Sequence, residues 1–176
     1  METLTPDFVV MGLLAVRPCH GYELINCFAA PDQLGRVWHM STSQIYAVLK
    51  RLERQCWIAG EQYTSETAPT RTAYTLTDEG RTQFERWLDE PEPSASVRRV
   101  RVEFLSRLFI ARALNRPTHA IVRAQAIACT AKRDALVRQR DQGAAPGMEY
   151  VILEFEISQL NTILDWIARV EFTPRD

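Results

Sequence analysis

The residues with the clearest chemistry lie in the segment S-T-S-Q-I-Y-A-V-L-K-R-L-E, residues 41–53. A helix over this segment places its apolar side chains on one side, namely Ile45, Val48, Leu49 and Leu52. The opposite side carries hydroxyl, amide and cationic groups from Ser43, Gln44, Lys50, Arg51 and Arg54, with Tyr46 at its edge. Gln pairs with adenine, Arg and Lys pair with guanine, and Ser binds phosphate. This polar side therefore has the chemistry to read a DNA major groove, although Lys and Arg are also common on any solvated helix.

Two shorter helices are predicted before this one. Thr5-Pro6-Asp7 is typical of a helix start, with Thr as the cap, Pro at the first position and an acid in the first turn. A second helix is predicted to open at His20-Gly21. Either Ser41 or Ser43 caps the third helix, which we expect to end near residue 55.

The pattern changes after Trp57, where extended segments replace helices. Strands are predicted near residues 61–63 and 73–76 around a turn at 64–70, which indicates a β-hairpin. Another helix is predicted over residues 78–88. Three helices followed by a hairpin have the order of a winged helix-turn-helix, whose third helix enters the major groove. Residues 1–90 are therefore predicted to form a DNA-binding domain.

The second half of the chain is predicted to be helical. Pro and Ser residues mark a linker at 91–96, and helices are expected at about 97–114, 117–140 and 148–171. The last helix has two adjacent apolar stripes, which together cover about 200°, against about 100° for a one-sided helix. The first stripe is Leu153, Ile157, Leu160, Leu164 and Ile167, and the second is Met148, Ile152, Phe155, Ile163, Trp166 and Val170. Such a helix buries two sides, either against its own domain and a second subunit or in the centre of a monomeric bundle. We predict a mainly α protein with a helical dimerisation domain at 97–176, whose contacts are Phe104, Leu108, Ile152, Phe155, Leu160, Ile163, Leu164 and Ile167.

The composition is that of a globular chain. Of 176 residues, 46% are hydrophobic and 24% are charged, which excludes global disorder. No apolar run approaches the length of a membrane span, and the acidic N-terminus lacks the basic flank of a signal peptide, so we expect a cytoplasmic protein. Residues 1–90 hold 8 Lys and Arg against 12 Asp and Glu, a net charge of 8 − 12 = −4. Nucleic-acid binding must therefore rest on local placement of charge.

Catalytic and metal-binding motifs are absent from the sequence. The four cysteines form no C-x-x-C pair, and the three histidines show no metal-ligand spacing. We read the cysteines as buried hydrophobes or free thiols, with redox sensing as the alternative. No nucleophile elbow, P-loop or dinucleotide fingerprint is present, so we predict no enzyme activity, no cofactor and no metal site.

Three blocks of the sequence resemble those of PadR-like transcriptional regulators. The blocks are V-V-M-G-L-L-A-V-R-P-C-H-G-Y-E-L at 9–24, S-Q-I-Y-A-V-L-K-R-L-E at 43–53 and A-Y-T-L-T-D-E-G-R at 73–81. They occur in the order and spacing of that family and, with the segments between them, cover about residues 5 to 90. The helical remainder is similar to the longer subfamily with a C-terminal dimerisation region.

The resemblance implies a homodimeric regulator, acting as a repressor, that binds a palindromic operator in double-stranded DNA. It also implies release of that operator when a small-molecule effector binds, and an aromatic effector is expected because some family members respond to phenolic acids. The residues expected at the DNA are His20, Tyr22, Ser43, Gln44, Tyr46, Lys50, Arg51, Arg54, Thr70 and Arg71.

Two positions depart from the family pattern. Cys56 stands where the family usually has Gly after the recognition helix. A residue with a Cβ costs about 1 kcal/mol in the left-handed conformation of such a helix end, so the helix is expected to end differently. The wing reads T-A-P-T-R-T-A-Y, in which Arg71 is the single basic residue and Thr70 replaces a frequent Arg. Weaker clamping of phosphates by the wing is expected, with a shallower salt dependence.

The main alternative is a protein–protein adaptor that uses its winged helix without DNA, which the net charge of −4 favours. Pairing of the local cations with Glu53, Glu61 or Glu66 would support that alternative, whereas a shared outward face would support DNA binding. The small basic cluster at 98–101 is expected to be a solvated helix start. Side chains that could stack on an aromatic effector, or could equally be core, are Trp38, Trp57, Trp87, Trp166, Phe104 and Phe109.

Overall fold

The computed structural model describes residues 6–65, 68–143 and 147–169, and for residues 63–65 and 68–70 it describes the backbone alone. The chain divides into two compact units. The first comprises Met1–Asp89 together with Leu105–Arg116, and the second comprises Glu90–Phe104 together with Pro117–Asp176.

Eight helices, one π-helical turn and three strands make up the described chain. In chain order they are α1 (Asp7–Val16), β1 (Cys19–His20), α2 (Gly21–Ala29), α3 (Thr42–Arg54), β2 (Ile58–Ser65), β3 (Ala68–Leu76), α4 (Asp78–Leu88), α5 (Val97–Arg99), the π turn (Val100–Phe104), α6 (Leu105–Ala113), α7 (His119–Gln142) and α8 (Met148–Arg169). None of these described helices is both long enough and apolar enough to cross a membrane.

The first unit has the predicted order of three helices, a hairpin and a fourth helix. Strands β2 and β3 pair antiparallel, with Ile58 opposite Leu76 and Gly60 opposite Tyr74. The strands are longer than predicted, since β3 already begins at Ala68 inside the expected turn; residues 66 and 67 lie outside the described part. Strand β1, which was not predicted, completes a sheet of order β1-β3-β2. A strand of two residues has no alternation that sequence patterning could detect.

Helix α1 forms the centre of this unit. Seven of its ten residues are buried, because the run Phe8–Val16 is apolar on every side rather than on one face. It packs against α3, α4, α6 and β3. At Gly12 the approach is close, since a Cβ there would lie 2.8 Å from Cγ2 of Ile110 on α6. The predicted cap Thr5 lies outside the described residues, and Pro6 directly precedes the helix.

The start of α4 explains the block A-Y-T-L-T-D-E-G-R. Thr77 caps the helix, as its Oγ1 accepts from the Gly80 amide at 3.0 Å. Gly80 is required by packing, because a Cβ there would lie 1.9 Å from the Trp57 carbonyl oxygen. Phe8 stacks on both Trp57 and Trp87, which ties α1 to the hairpin and to α4.

In the second unit, α7 and α8 pack along each other. The buried side chains of α8 are Leu153, Ile157, Leu160 and Ile167, close to the first predicted stripe. Trp166 meets Phe104 edge-on, with ring centroids 6.2 Å apart. The helix predicted over 97–114 is interrupted by the π turn at Val100–Phe104, where the chain passes from the second unit to the first.

Candidate nucleic-acid interface

Helix α3 starts with a complete capping box. The Ser41 hydroxyl accepts from the Gln44 amide at 3.3 Å, and the Gln44 Oε1 accepts from the Ser41 amide at 2.8 Å. The two donors would otherwise be unpaired at a helix start. Ser41 is therefore the cap, and Ser43 lies inside the helix with its hydroxyl 3.0 Å from that of Ser41. Reading of adenine by Gln44, as predicted, requires this box to open.

The predicted division of α3 into an apolar and a polar side is confirmed. Its buried side chains are Ile45, Val48, Leu49 and Leu52. The exposed ones include Ser43, Tyr46, Ala47, Lys50 and Arg54, which we call the outer face of α3. Within the described residues the ammonium of Lys50 has no hydrogen-bond or ion-pair partner, and Arg54 bonds to the Lys50 carbonyl of its own helix.

Tyr46 lies against the start of α2. A Cβ on Gly21 would be 2.9 Å from the ring carbon Cε1 of Tyr46, so the glycine allows this contact. The ring remains 48% exposed. The glycine of the H-G-Y-E-L block thus has a packing role, which connects that block to α3.

The half-buried His20 and the exposed Tyr22 and Arg71 form a second group beside α3, which joins α2 to the wing. The rings of His20 and Tyr22 stack with centroids 5.8 Å apart, and the Arg71 guanidinium lies 5.7 Å from the Tyr22 ring centroid. The Nδ1 atom of His20 is 3.0 Å from the Thr72 carbonyl oxygen. This carbonyl accepts a hydrogen bond, so Nδ1 carries the proton. The geometry holds the one wing cation at a defined place.

The start of α2 is fixed by Glu23. Its Oε2 accepts from the His20 amide at 2.7 Å, and its Oε1 pairs with Arg17 at 2.7 Å. The backbone hydrogen bond from His20, followed by the bond from Arg17, lowers the pKa of the Glu23 carboxyl. The carboxylate is therefore charged at neutral pH and holds His20 and its stacked neighbour in position.

Arg51 has a different environment from Lys50. Its Nε and Nη2 donate to the two oxygens of Asp7 at 2.6 and 2.7 Å. Asp7 is only 5% exposed, whereas the side chain of Arg51 is 37% exposed. The hydrogen bond to Asp7 raises the pKa of the guanidinium. Sequence reasoning missed this pair because Asp7 was read only as a first-turn acid of α1.

The helix ends in a left-handed turn at Cys56, whose φ is 58°. The Cys56 amide donates to the Glu53 carbonyl and the Trp57 amide donates to the Leu52 carbonyl, which is the Schellman arrangement. The expectation of a different helix end is therefore wrong. Cysteine occupies the conformation that glycine favours, and Thr77 bonds to the Cys56 carbonyl at 2.7 Å.

The other predicted DNA residue of the wing is Thr70, whose side chain lies outside the described part of the chain. Aromatic side chains that were candidates for binding an effector instead pack within the protein. Phe8 stacks on Trp57 and Trp87, and Trp166 contacts Phe104. Trp38 also donates to the Ser106 hydroxyl at 2.9 Å. Among the cysteines, Cys19 and Cys129 are buried, and burial raises the pKa of the Cys19 thiol to about 11.

The eight residues predicted for dimerisation differ in their exposure. Phe104, Leu108, Leu160 and Ile167 are already buried within a single chain. Ile163 and Leu164 are half-buried. In contrast, Ile152 and Phe155 are exposed together with Met148 and Val151, and we call these four residues the apolar outer face of α8.

Comparison with known proteins finds one family that the chain resembles over part of its length. Residues 10–86 match the family described as "Transcriptional regulator PadR-like family". Over these residues, which make up less than half of the chain, it is similar to that family. The matched range contains α3, β2, β3 and most of α1 and α4. The matched family is one of transcriptional regulators rather than of enzymes.

Two curated relatives and one solved structure are similar to this chain. The negative transcriptional regulator PadR of Bacillus subtilis is 29% identical over 109 residues, which cover 62% of this chain and 58% of the relative. A protein of Mycobacterium tuberculosis described as a probable transcriptional regulator is 28% identical over 82 residues, covering 47% and 42%. The chain thus spans less than two thirds of either relative. The crystal structure of B. subtilis PadR in complex with operator DNA is 23% identical, with a TM-score of 0.49, over 96% of this chain and 97% of that one.

Proposed function

We propose that this protein is a sequence-specific DNA-binding transcriptional regulator that acts as a homodimer. The observation that carries the proposal is the outer face of α3. It presents a hydroxyl, a phenol, a small Ala and two cations from a single capped helix, with Tyr22 and Arg71 exposed beside it. A helix of this kind fits a major groove, where cations bind phosphate and guanine.

Charge distribution supports DNA over the adaptor alternative. The net charge of residues 1–90 is 8 − 12 = −4, but the cations that matter are local. Lys50 and Arg54 are exposed on the outer face of α3, and Arg71 is exposed over Tyr22. The described acidic partner of Arg51 is Asp7, on α1, rather than Glu53 on its own helix. The negative groups therefore leave the outer face of α3 cationic.

We propose a second copy of the chain as the partner of α8. Met148, Val151, Ile152 and Phe155 follow the spacing i, i+3, i+4 and i+7, and are 48–74% exposed. Burial of apolar surface is worth about 25 cal/mol per Å², so an unpartnered apolar face of this kind is costly in water. A symmetric dimer would bury the same face on both copies. We propose that its two α3 helices bind successive major grooves, which are about 34 Å apart, one helical turn of DNA.

Repression and release by a small-molecule effector complete the proposal. The relative from B. subtilis is described as a negative transcriptional regulator, which supports repression. An effector is supported by the family resemblance alone, and the aromatic residues that suggested its chemistry are engaged in packing. We also propose a cytoplasmic location, where such a regulator meets its operator.

The test is a fluorescence-anisotropy titration with two DNA duplexes at several salt concentrations. The first duplex is selected by the protein from a random-sequence pool, and the second is a scrambled version of it. We expect at least about a thousandfold preference for the selected duplex, as is typical of specific DNA-binding proteins. Equal affinities for the two duplexes at low salt would contradict sequence-specific binding and favour the adaptor.

A further inference from the structure

The ion pair between Asp7 and Arg51 connects the central helix of the first unit to the helix proposed to enter DNA. The two residues are 44 positions apart in sequence, on α1 and α3. Both carboxylate oxygens and two guanidinium nitrogens take part, at 2.6 and 2.7 Å. A two-bond pair of this kind sets a direction as well as a distance, because the guanidinium fork is planar.

The two partners have unequal surroundings. Asp7 is 5% exposed, at the N-terminus of α1, where the helix dipole also favours a negative charge. Arg51 lies in the last turn of α3, between the buried stripe and the outer face. Its loss would leave a buried carboxylate without a counter-charge, which is strongly unfavourable. The carboxylate of Asp7 is thus fixed by its burial on α1, and the partly exposed side chain of Arg51 is the one free to change its position.

Rotation of α3 about its own axis is what this pair restricts. The apolar stripe allows small rotations, because aliphatic contacts have little directional preference. With side chains extending about 6 Å from the axis, a turn of about 20° would move their tips by about 2 Å. Hydrogen bonds to base edges tolerate only a few tenths of an ångström. The orientation of Ser43, Tyr46 and Lys50 therefore depends on a directional contact, which the Asp7–Arg51 pair provides.

We infer that Arg51 is a positioning residue, which acts through Asp7 to set the orientation of α3 rather than by binding phosphate. This inference rests on the proposed function, namely that α3 binds DNA. It reassigns one of the sequence-predicted DNA contacts. It also gives Asp7, which faces away from the outer face of α3, a role in sequence preference.

The sign of the effect of Asp7→Asn separates positioning from simple electrostatics. Removal of a negative charge near a DNA-binding helix, with release of an arginine, would by charge alone strengthen binding to any duplex. Positioning predicts the opposite for the selected duplex: affinity falls by about tenfold, while affinity for the scrambled duplex stays within about twofold. Asp32→Asn is the matched control, since it removes an exposed acid from the same unit and should change neither affinity.

Arg51→Lys provides the second variant, and it also addresses folding. Lysine keeps the charge opposite Asp7 but lacks the planar fork, so the fold is retained while the direction of the contact is lost. We expect the same fall of about tenfold for the selected duplex. The slope of log affinity against log salt should be unchanged in both Arg51→Lys and Arg51→Gln. If Arg51 bound a phosphate directly, Arg51→Gln would reduce this slope by about 0.9. Circular dichroism at the titration temperature confirms that each variant is folded.

The outcomes are distinguishable. Three results would overturn the positioning role alone. They are tighter or unchanged binding of the selected duplex by Asp7→Asn, wild-type affinity of Arg51→Lys for that duplex, and a salt slope reduced by about 0.9 in Arg51→Gln. A wild-type protein that does not discriminate between the two duplexes would overturn the proposed function, and the inference with it. If Asp7→Asn does not fold, Arg51→Lys decides the question.

Discussion

Helices α3 and α8 have similar buried sides and opposite outer faces. Each buries four branched aliphatic side chains, Ile45, Val48, Leu49 and Leu52 in α3, and Leu153, Ile157, Leu160 and Ile167 in α8. The outer face of α3 is polar and cationic, whereas the outer face of α8 is apolar. The buried stripe determines how a helix packs in its own unit, and the outer face determines the chemistry of an external partner. We therefore propose different partners for the two helices.

The largest expected effect comes from placing a charge on the apolar outer face of α8. Phe155 is 62% exposed, so Phe155→Glu should leave the single chain folded. In a dimer the same change would bury two carboxylates, one from each copy, and should weaken dimerisation by about a hundredfold or more. Sedimentation velocity measures the change, with thermal melting as the check on folding.

Asn161→Glu is the matched control, because Asn161 is exposed on α8 and lies about 80° around the helix from the nearest residue of the apolar face. It should leave the sedimentation coefficient unchanged. A wild-type monomer, or a Phe155→Glu variant that remains dimeric, would contradict the proposed role of this face.

A smaller effect is expected from removing one cation from the outer face of α3. Lys50→Ala should weaken binding to the selected duplex by about fivefold to tenfold and reduce the salt slope by about 0.9, because one phosphate contact is lost. Lys132→Ala removes an exposed lysine from α7 and should change neither value. Identical slopes for the wild type and Lys50→Ala would move the contact with phosphate to another surface.

The smallest expected effect concerns the left-handed turn at Cys56, which ends α3. Cys56 has a φ of 58°, which costs a residue with a Cβ about 1 kcal/mol relative to glycine. Cys56→Gly should therefore raise the melting temperature by about 2–4 °C. DNA affinity should not change, because the Schellman hydrogen bonds do not involve the side chain.

Two controls accompany the change at Cys56. Cys56→Ala keeps a Cβ and should bring no gain, which separates the backbone effect from removal of an exposed thiol. Asn115 ends α6 in the same arrangement, with a φ of 53°, but asparagine tolerates this conformation. Asn115→Gly should therefore raise the melting temperature less than Cys56→Gly does. Equal gains at the two sites would contradict this explanation.

Sequence patterns predicted the elements whose period is regular. The residues predicted for the apolar side of α3 are those that the structure buries. Helix α4 was predicted over residues 78–88, which are the bounds that the structure has. The hairpin was predicted with strands that are too short, because Pro69 and the neighbouring threonines resemble a turn. The π turn at Val100–Phe104 was not predicted, since the sequence around it has an ordinary helical composition.

In the candidate site, the exposure of some residues could be predicted from the sequence, but contacts between distant residues could not. Lys50, Arg54 and Tyr46 were predicted as exposed from their positions on one helix, and the structure exposes them. The partner of Arg51 could not be predicted, because Asp7 is 44 residues away and only packing of α1 against α3 brings the two together. Likewise, the contact between Gly21 and Tyr46 depends on how α2 meets α3.

The sequence determined the order of the helices and the hairpin in the first unit, the buried side of α3 and the PadR-like blocks. These features follow from local propensity and from the helical period, which act within a few residues. The tertiary structure alone decided which cations remain exposed, which one is held by a buried acid, and which apolar residues of α8 stay uncovered. Those outcomes depend on contacts between distant segments, and no local pattern encodes them.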